Sequence, residues 1–198
     1  MKRLRSVGAS WAMILAWFTQ HAPNELTGFR SPSAQQDLRA VEETMGMPLP
    51  ADQVEWWQLT DGTDEARFVR LIPLAYRPLS ARDAVLFHRS MVSFAPEEPE
   101  SSLHAAAPAG SPSEGVWLPQ WLPIARDIGG GFLFLDLRRG PLFGCVGRHR
   151  KDEWRYEEPV WSSVAEMLAD VADALTENTE IDWWHAGVDD DRLVWLMD

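Results

Sequence analysis

The chain has 198 residues, 45% apolar and 24% charged, near the averages of soluble globular proteins, which excludes disorder throughout. Its net charge of −12 disfavours direct nucleic-acid binding, and the single Cys145 excludes an internal disulfide and gives a metal only one thiolate. No stretch reaches the roughly 20 apolar residues of a membrane-spanning helix.

The first predicted element is a helix over residues 5–20. Its basic head before an apolar run also fits a secretory signal. Trp11, Ile14, Leu15 and Phe18, however, fall at i, i+3, i+4 and i+7, which is one face of an amphipathic helix. A second helix follows Ser31-Pro32-Ser33, with Ser33 as N-cap and Gln36 completing a capping box. Leu38, Val41 and Met45 supply its buried stripe, and Gly46 is placed to end it. Pro50 opens a short third helix. There Val54 and Trp57 are i, i+3 neighbours, so Trp57 is expected in the core and Trp56 half-covered at the edge of that face.

After Asp61-Gly62 the run ARFVRLIPL, residues 66–74, reads as a strand, with Pro73 marking its end or an edge position. Residues 80–92 read as a helix with Val85, Leu86 and Arg89 on a partly apolar side. Residues 95–115 hold many prolines and few large apolar groups, so they are expected as a mobile loop within one domain spanning 1–198. The segment 132–137 is apolar on both alternating faces except at Asp136, the pattern of a central strand covered on two sides. Arg138 to Pro141 turns the chain, and a return strand contains Gly144 and Gly147, which implies a bulge or close approach. Ser163 and Glu166 make a capping box for a late helix whose stripe is Val164, Met167, Leu168, Val171 and Leu175. Residues 192–196 close the chain as a strand. The fold class expected is α+β, a mostly antiparallel central sheet with helices packed at its sides.

Catalytic patterns do not assemble. Gly129-Gly130-Gly131 precedes a strand, whereas a phosphate cradle leads into a helix N-terminus. The five histidines are scattered without i, i+4 spacing, so no metal is expected. Asp189-Asp190-Asp191 lacks the alternating ligands and glycine of a calcium loop and reads as a solvated turn. Cys145 sits in an apolar strand, packed rather than reactive. Arg148, Arg150, Lys151 and Arg155 around Trp154 are interrupted by Asp152, Glu153, Glu157 and Glu158, a turn of mixed charge. Residues 157–198 hold 12 acidic side chains and one basic. No cofactor is expected, and the residue types argue against an enzyme.

A string of motifs in order, AWFTQHAP, MGMPLP, LTDG, WLPIARDIGGGFLFLDLRRG, GCVG, WSSVAEMLADVADAL and VDDDRLVW, resembles the SUKH superfamily, which joins bacterial immunity proteins to a fungal regulator of cell-wall synthesis. The resemblance implies a non-catalytic α+β domain whose bacterial members bind and neutralise toxins, many acting on nucleic acid. It implies fold-keeping roles for Gly46, Leu49, Pro50, Gly62, Trp121, Pro123, Gly130 and Asp136, while Asp61 and Asp127 also match family positions. Many members have two acidic residues before the glycines, where this chain has Arg126-Asp127. The function expected is a cytoplasmic immunity protein that binds a toxin domain, with no direct contact to nucleic acid or membrane. The alternatives are a regulatory or scaffold module binding a host protein and, behind it, an unrecognised enzyme. Candidate partner contacts are Trp56, Asp61, Asp64, Glu65, Arg67, Asp127, Asp189, Asp190 and Asp191.

Overall fold

The structure is a computed structural model that describes residues 5–94, 99–114, 117–151 and 155–197, with backbone alone at 99–102. Its centre is an antiparallel sheet of β1 (Arg77–Pro78), β3 (Trp121–Arg126), β4 (Phe132–Asp136) and β5 (Cys145–His149), in the order β1-β3-β4-β5. All five residues of β4 are buried. Leu133 and Leu135 point to one core, while Phe132 and Phe134 point to another on the opposite face. The two-sided pattern of residues 132–137 is therefore a strand sandwiched between two layers. The register of β3 against β4 shifts between Pro123 and Ala125, a place where a proline, lacking an N–H, does least harm. Gly147 lets β5 lie against an aromatic ring, because a Cβ there would stand 2.4 Å from Phe134 Cζ.

The larger core lies under α1 (Val7–His21), α2 (Gln35–Met45), α3 (Ala51–Leu59) and α6 (Val164–Glu177). A 3₁₀ helix, Pro23–Gly28, follows α1. Helix α1 begins at Ser6, whose side chain accepts from Ala9 N–H, and packs on α3 and α6. It buries Trp11, Ile14 and Phe18 together with Val7 and Trp17, whereas Leu15 is only half-buried. No helix among the described residues is long and apolar enough to cross a membrane. The stripe of α2 is Leu38, Val41 and Met45, and Gly46 ends it at φ 68°, as expected. Its start differs, because Ala34 is the N-cap and makes no side-chain bond. Ser33 instead donates its hydroxyl to Asp61. In α6, Ser163 Oγ accepts from Glu166 N–H at 3.1 Å, while Glu166 Oε2 accepts from Ser162 N–H at 2.7 Å. The box thus closes one residue earlier than the pattern implies. Asp52 on α3 adds a further acceptor for Ala165 N–H at 3.0 Å.

Other expectations fail in the core-forming segments. Trp56 is as buried as Trp57, each 1% exposed. Trp57 Nε1 donates to Leu79 O at 3.0 Å, and both rings belong to the larger core, so the short α3 is covered on two sides rather than one. Residues 66–74 form no strand. Phe68, Leu74 and Ala75 have positive φ, yet Val69, Leu71 and Ile72 are fully buried, so the apolar run serves the core as an irregular loop. In α4 (Ala81–Phe94), Ala81, Ala84 and His88 face inward and Val85 packs half-buried against the larger core as expected, but Leu86 stands 62% exposed.

The stretch 95–115 departs from a structureless loop where it is described. It carries α5 (Pro99–Ala106) and β2 (Ser113–Glu114), which pairs with β6 (Arg155–Tyr156). Asp136 and Arg138, both buried, anchor it. Arg138 Nη2 lies 2.6 Å from Asp136 Oδ2. Arg138 also donates to His104 O at 2.8 Å and Ser111 O at 2.7 Å, and Asp136 accepts from Gly110 N–H at 2.9 Å. The expected closing strand is β8 (Arg192–Met197), and it pairs with a strand not foreseen, β7 (Trp184–Asp189), as a separate two-stranded ribbon. Leu193 and Trp195 seat the ribbon on the larger core. The whole is a mixed α+β single-domain fold.

Candidate partner-binding surface

Two turns face each other across a groove of about 610 Å³. The first turn starts at Asp64, whose N–H donates to Gly28 O at 2.7 Å and whose Oδ1 accepts from Ala66 N–H at 2.8 Å. This side chain folds the 64–68 segment back onto the 3₁₀ helix. The second is the hairpin tip of β7 and β8, where Asp190 and Asp191 both have positive φ and Asp189 pairs with Arg192. A two-residue turn of this hand matches the strand twist, and aspartate tolerates it. Arg67, Phe68 and Arg70 line one wall, and Asp189, Asp190 and Arg192 the other.

Glu25 lies beneath the groove. It is 9% exposed, and its Oε2 accepts from Leu193 N–H at 2.8 Å. Burial raises its carboxyl above the ordinary value, against the opposing pull of the Leu193 N–H and of Arg192 and Arg70. Trp195 Nε1 donates to Arg70 O at 2.9 Å, tying the same ribbon to the 64–70 loop. Nothing local in the sequence marks Glu25 or Arg70, because their partners on β8 lie more than a hundred residues away along the chain.

The fold brings Arg67, Asp189 and Asp190 onto one groove, with Asp64 and Glu65 at the turn that leads into it. Asp191 is exposed at the hairpin tip. Glu65 lies 3.4 Å from the buried Arg77, and Arg67 donates to Thr27. Other candidates do not join them. Trp56 is sealed in the core and offers no surface. Asp61 turns inward, accepting from Ser33 Oγ and from Ala81 N–H, the latter at 2.8 Å, which caps α4 from a distant loop. Asp127 accepts from Gly131 N–H at 2.7 Å and braces the β3–β4 loop, in which Gly130 takes φ 91°.

The remaining family-like positions are architectural in their contacts. Leu49 is buried, and Pro50 precedes α3 and packs where a Cβ on Gly144 would stand 2.6 Å away. At Gly62, φ is 69° and a Cβ would lie 2.5 Å from the Leu79 carbonyl carbon. Trp121 stacks on Phe134 with centroids 4.3 Å apart, and Pro123 is buried in β3.

A second groove, about 680 Å³, is lined by Arg148, Arg150 and Arg155 together with Glu157, Glu158 and Asp182. Its charge is mixed. Residues 152–154, which include Trp154, lie outside the described residues. Cys145 is fully buried, and burial pushes its thiol up to about 11. Among the described residues no group of three or more His, Cys, Asp or Glu side chains could hold a metal ion. What the surface offers is fixed charge of both signs around an open groove, an arrangement suited to recognition.

The family described as SMI1 / KNR4 family (SUKH-1) matches residues 32–170. That span contains the whole four-stranded sheet and the 64–70 loop, and it ends before the β7–β8 ribbon. No curated protein matches the chain.

Proposed function

Because the chain belongs to the SMI1 / KNR4 family (SUKH-1), we propose that it is an immunity protein, which binds a toxin domain and blocks it without chemistry of its own. Family membership is the observation that carries this reading. Charge supports the choice of partner. The carboxylates of Glu65, Asp189, Asp190 and Asp191 are exposed around or beside one groove of a chain with net charge −12. Such a surface steers a basic protein toward it and imitates the polyanion that a nucleic-acid-acting toxin expects. The proposed location is the cytoplasm, where such a toxin would act.

Co-expression with the toxin domains encoded beside its gene tests the reading. Growth is expected to recover with at least one of them. Asp189→Lys combined with Asp190→Lys should then weaken the complex by about tenfold, chiefly through slower association that depends on salt. Rescue against none of the toxins overturns the immunity role and leaves a regulatory module, the other role found in this family.

A further inference from the structure

The β7–β8 ribbon has two strands and therefore two outer edges. Leu193 N–H donates outward to Glu25, so the Val188↔Leu193 pair faces away from the ladder bonds. Trp184 agrees, since it exchanges both of its outward bonds with Ile181 at 2.9 Å. Alternation then places the N–H and C=O of Ala186 and Val188 on the outer edge of β7. Among the described residues neither has a hydrogen-bond partner there. Natural edges are usually guarded by lysine, proline or a bulge. Here Ala186, Gly187 and Val188 present small, uncharged side chains and a regular register.

The surroundings name the occupant. Residues 178–191 contain five carboxylates and no lysine or arginine. Asp189, Asp190 and Asp191 stand at one end of the open edge, with Glu180 and Asp182 at the other, Asp182 being paired with Arg148. Trp183, 78% exposed, projects beside the Ile181–Trp184 bridge as an aromatic contact. A second copy of this chain would bring −12 against −12 and acid against acid.

We propose that the edge of β7 at Ala186 and Val188 takes an extended, basic segment of the protein partner as a third strand of the ribbon. Main-chain bonds supply affinity, and the flanking aspartates select lysine or arginine side chains. This rests on the reading that the chain works by binding a protein, and it adds where and how that protein is held.

The test uses the full chain and a soluble peptide of alternating lysine and valine, with alternating glutamate and valine as control. Hydrogen exchange at the Ala186 and Val188 amides is expected to slow about tenfold with the basic peptide alone. Val188→Pro removes an outward N–H and no ladder bond, so it should abolish the protection read at the remaining Ala186 amide while leaving the melting temperature nearly unchanged. Ala186→Pro, read at the Val188 amide, serves as the second variant if the first unfolds. Unchanged exchange with the basic peptide overturns the proposal, as does equal protection by the acidic one. Protection without peptide, accompanied by dimerisation, assigns the edge to a second copy and also overturns it. Where a toxin is rescued, both proline variants should lose that rescue. Full rescue by both would sink the edge proposal while the immunity role stands, whereas rescue failing for the unmodified chain, with peptide protection intact, sinks only the immunity role.

Discussion

On one face of the central sheet Leu122, Leu133, Leu135 and Val146 meet four helices, and these sheet side chains are all apolar. The buried Asp173 of α6, paired to Arg5, and Glu25 beneath the ribbon lie farther from the sheet. On the other, Trp121, Phe132, Phe134 and Tyr156 meet Trp117 and the half-buried side of α4. That second layer also holds the Asp136–Arg138 pair and two buried histidines, His88 and His149. Trp117 stacks edge-on to His149 at 5.3 Å, and His88 Nε2 bonds Pro119 O at 2.8 Å. One sheet thus meets apolar packing on one face, and on the other a layer in which charged and ionisable groups touch the sheet itself. An apolar layer tolerates changes in pH, whereas a layer containing ionisable groups does not.

Removing the charge from the second layer gives the largest effect. Arg138→Met should cost about 3–5 kcal/mol by leaving Asp136 buried without its partner. It should also speed hydrogen exchange at Gly110, since the same pair holds residues 104–111. Adding Asp136→Leu should restore much of the loss, as read in urea denaturation. Leu135→Ala on the helical face should cost about 2–5 kcal/mol and leave exchange at Gly110 unchanged relative to global unfolding. If both substitutions loosen residues 104–111 equally, the two layers are not separate.

Titration sharpens the contrast. Burial lowers the His88 imidazole below its ordinary 6.5, with Arg89 acting in the same sense and the Pro119 carbonyl opposing. The fold therefore favours the neutral ring. Its contribution is complete above 6.5 and is lost as pH falls toward the depressed folded value. His149 shifts the same way through burial, opposed by Asp127. Melting temperature should drop from neutral to mildly acid pH, and His88→Gln should flatten part of that slope. An unchanged slope would break the assignment.

The smallest effect has the opposite sign. Glu25, beneath the ribbon that closes the helical core, is raised from its ordinary 4.5. Its contribution is complete below 4.5 and is lost as pH rises through the raised folded value. Glu25→Gln keeps an acceptor for Leu193 N–H and should remove that loss, so the variant gains stability relative to the parent as pH rises. A variant that loses stability there would show that the carboxylate is needed charged.

What the sequence alone determined follows from short repeats. The stripes of α2 and α6, the helix ends at Gly46 and Ser163, and the two-sided character of β4 each depend on residues within a few positions of one another. Periodicity reads such spacings directly. The solvated turn at Asp189–Asp191 was legible for the same reason. Tertiary structure alone decided the fate of Trp56, because its burial depends on α1 and α6 packing over a helix too short to define its own face. It decided that Val69, Leu71 and Ile72 fill a core from an irregular loop, and that Asp61 caps a helix 20 positions on. It also set Glu25 against Leu193 across 168 positions, making one groove of two turns. Burial and hydrogen-bond satisfaction are settled by whichever groups the fold brings together, and distance along the chain places no limit on that.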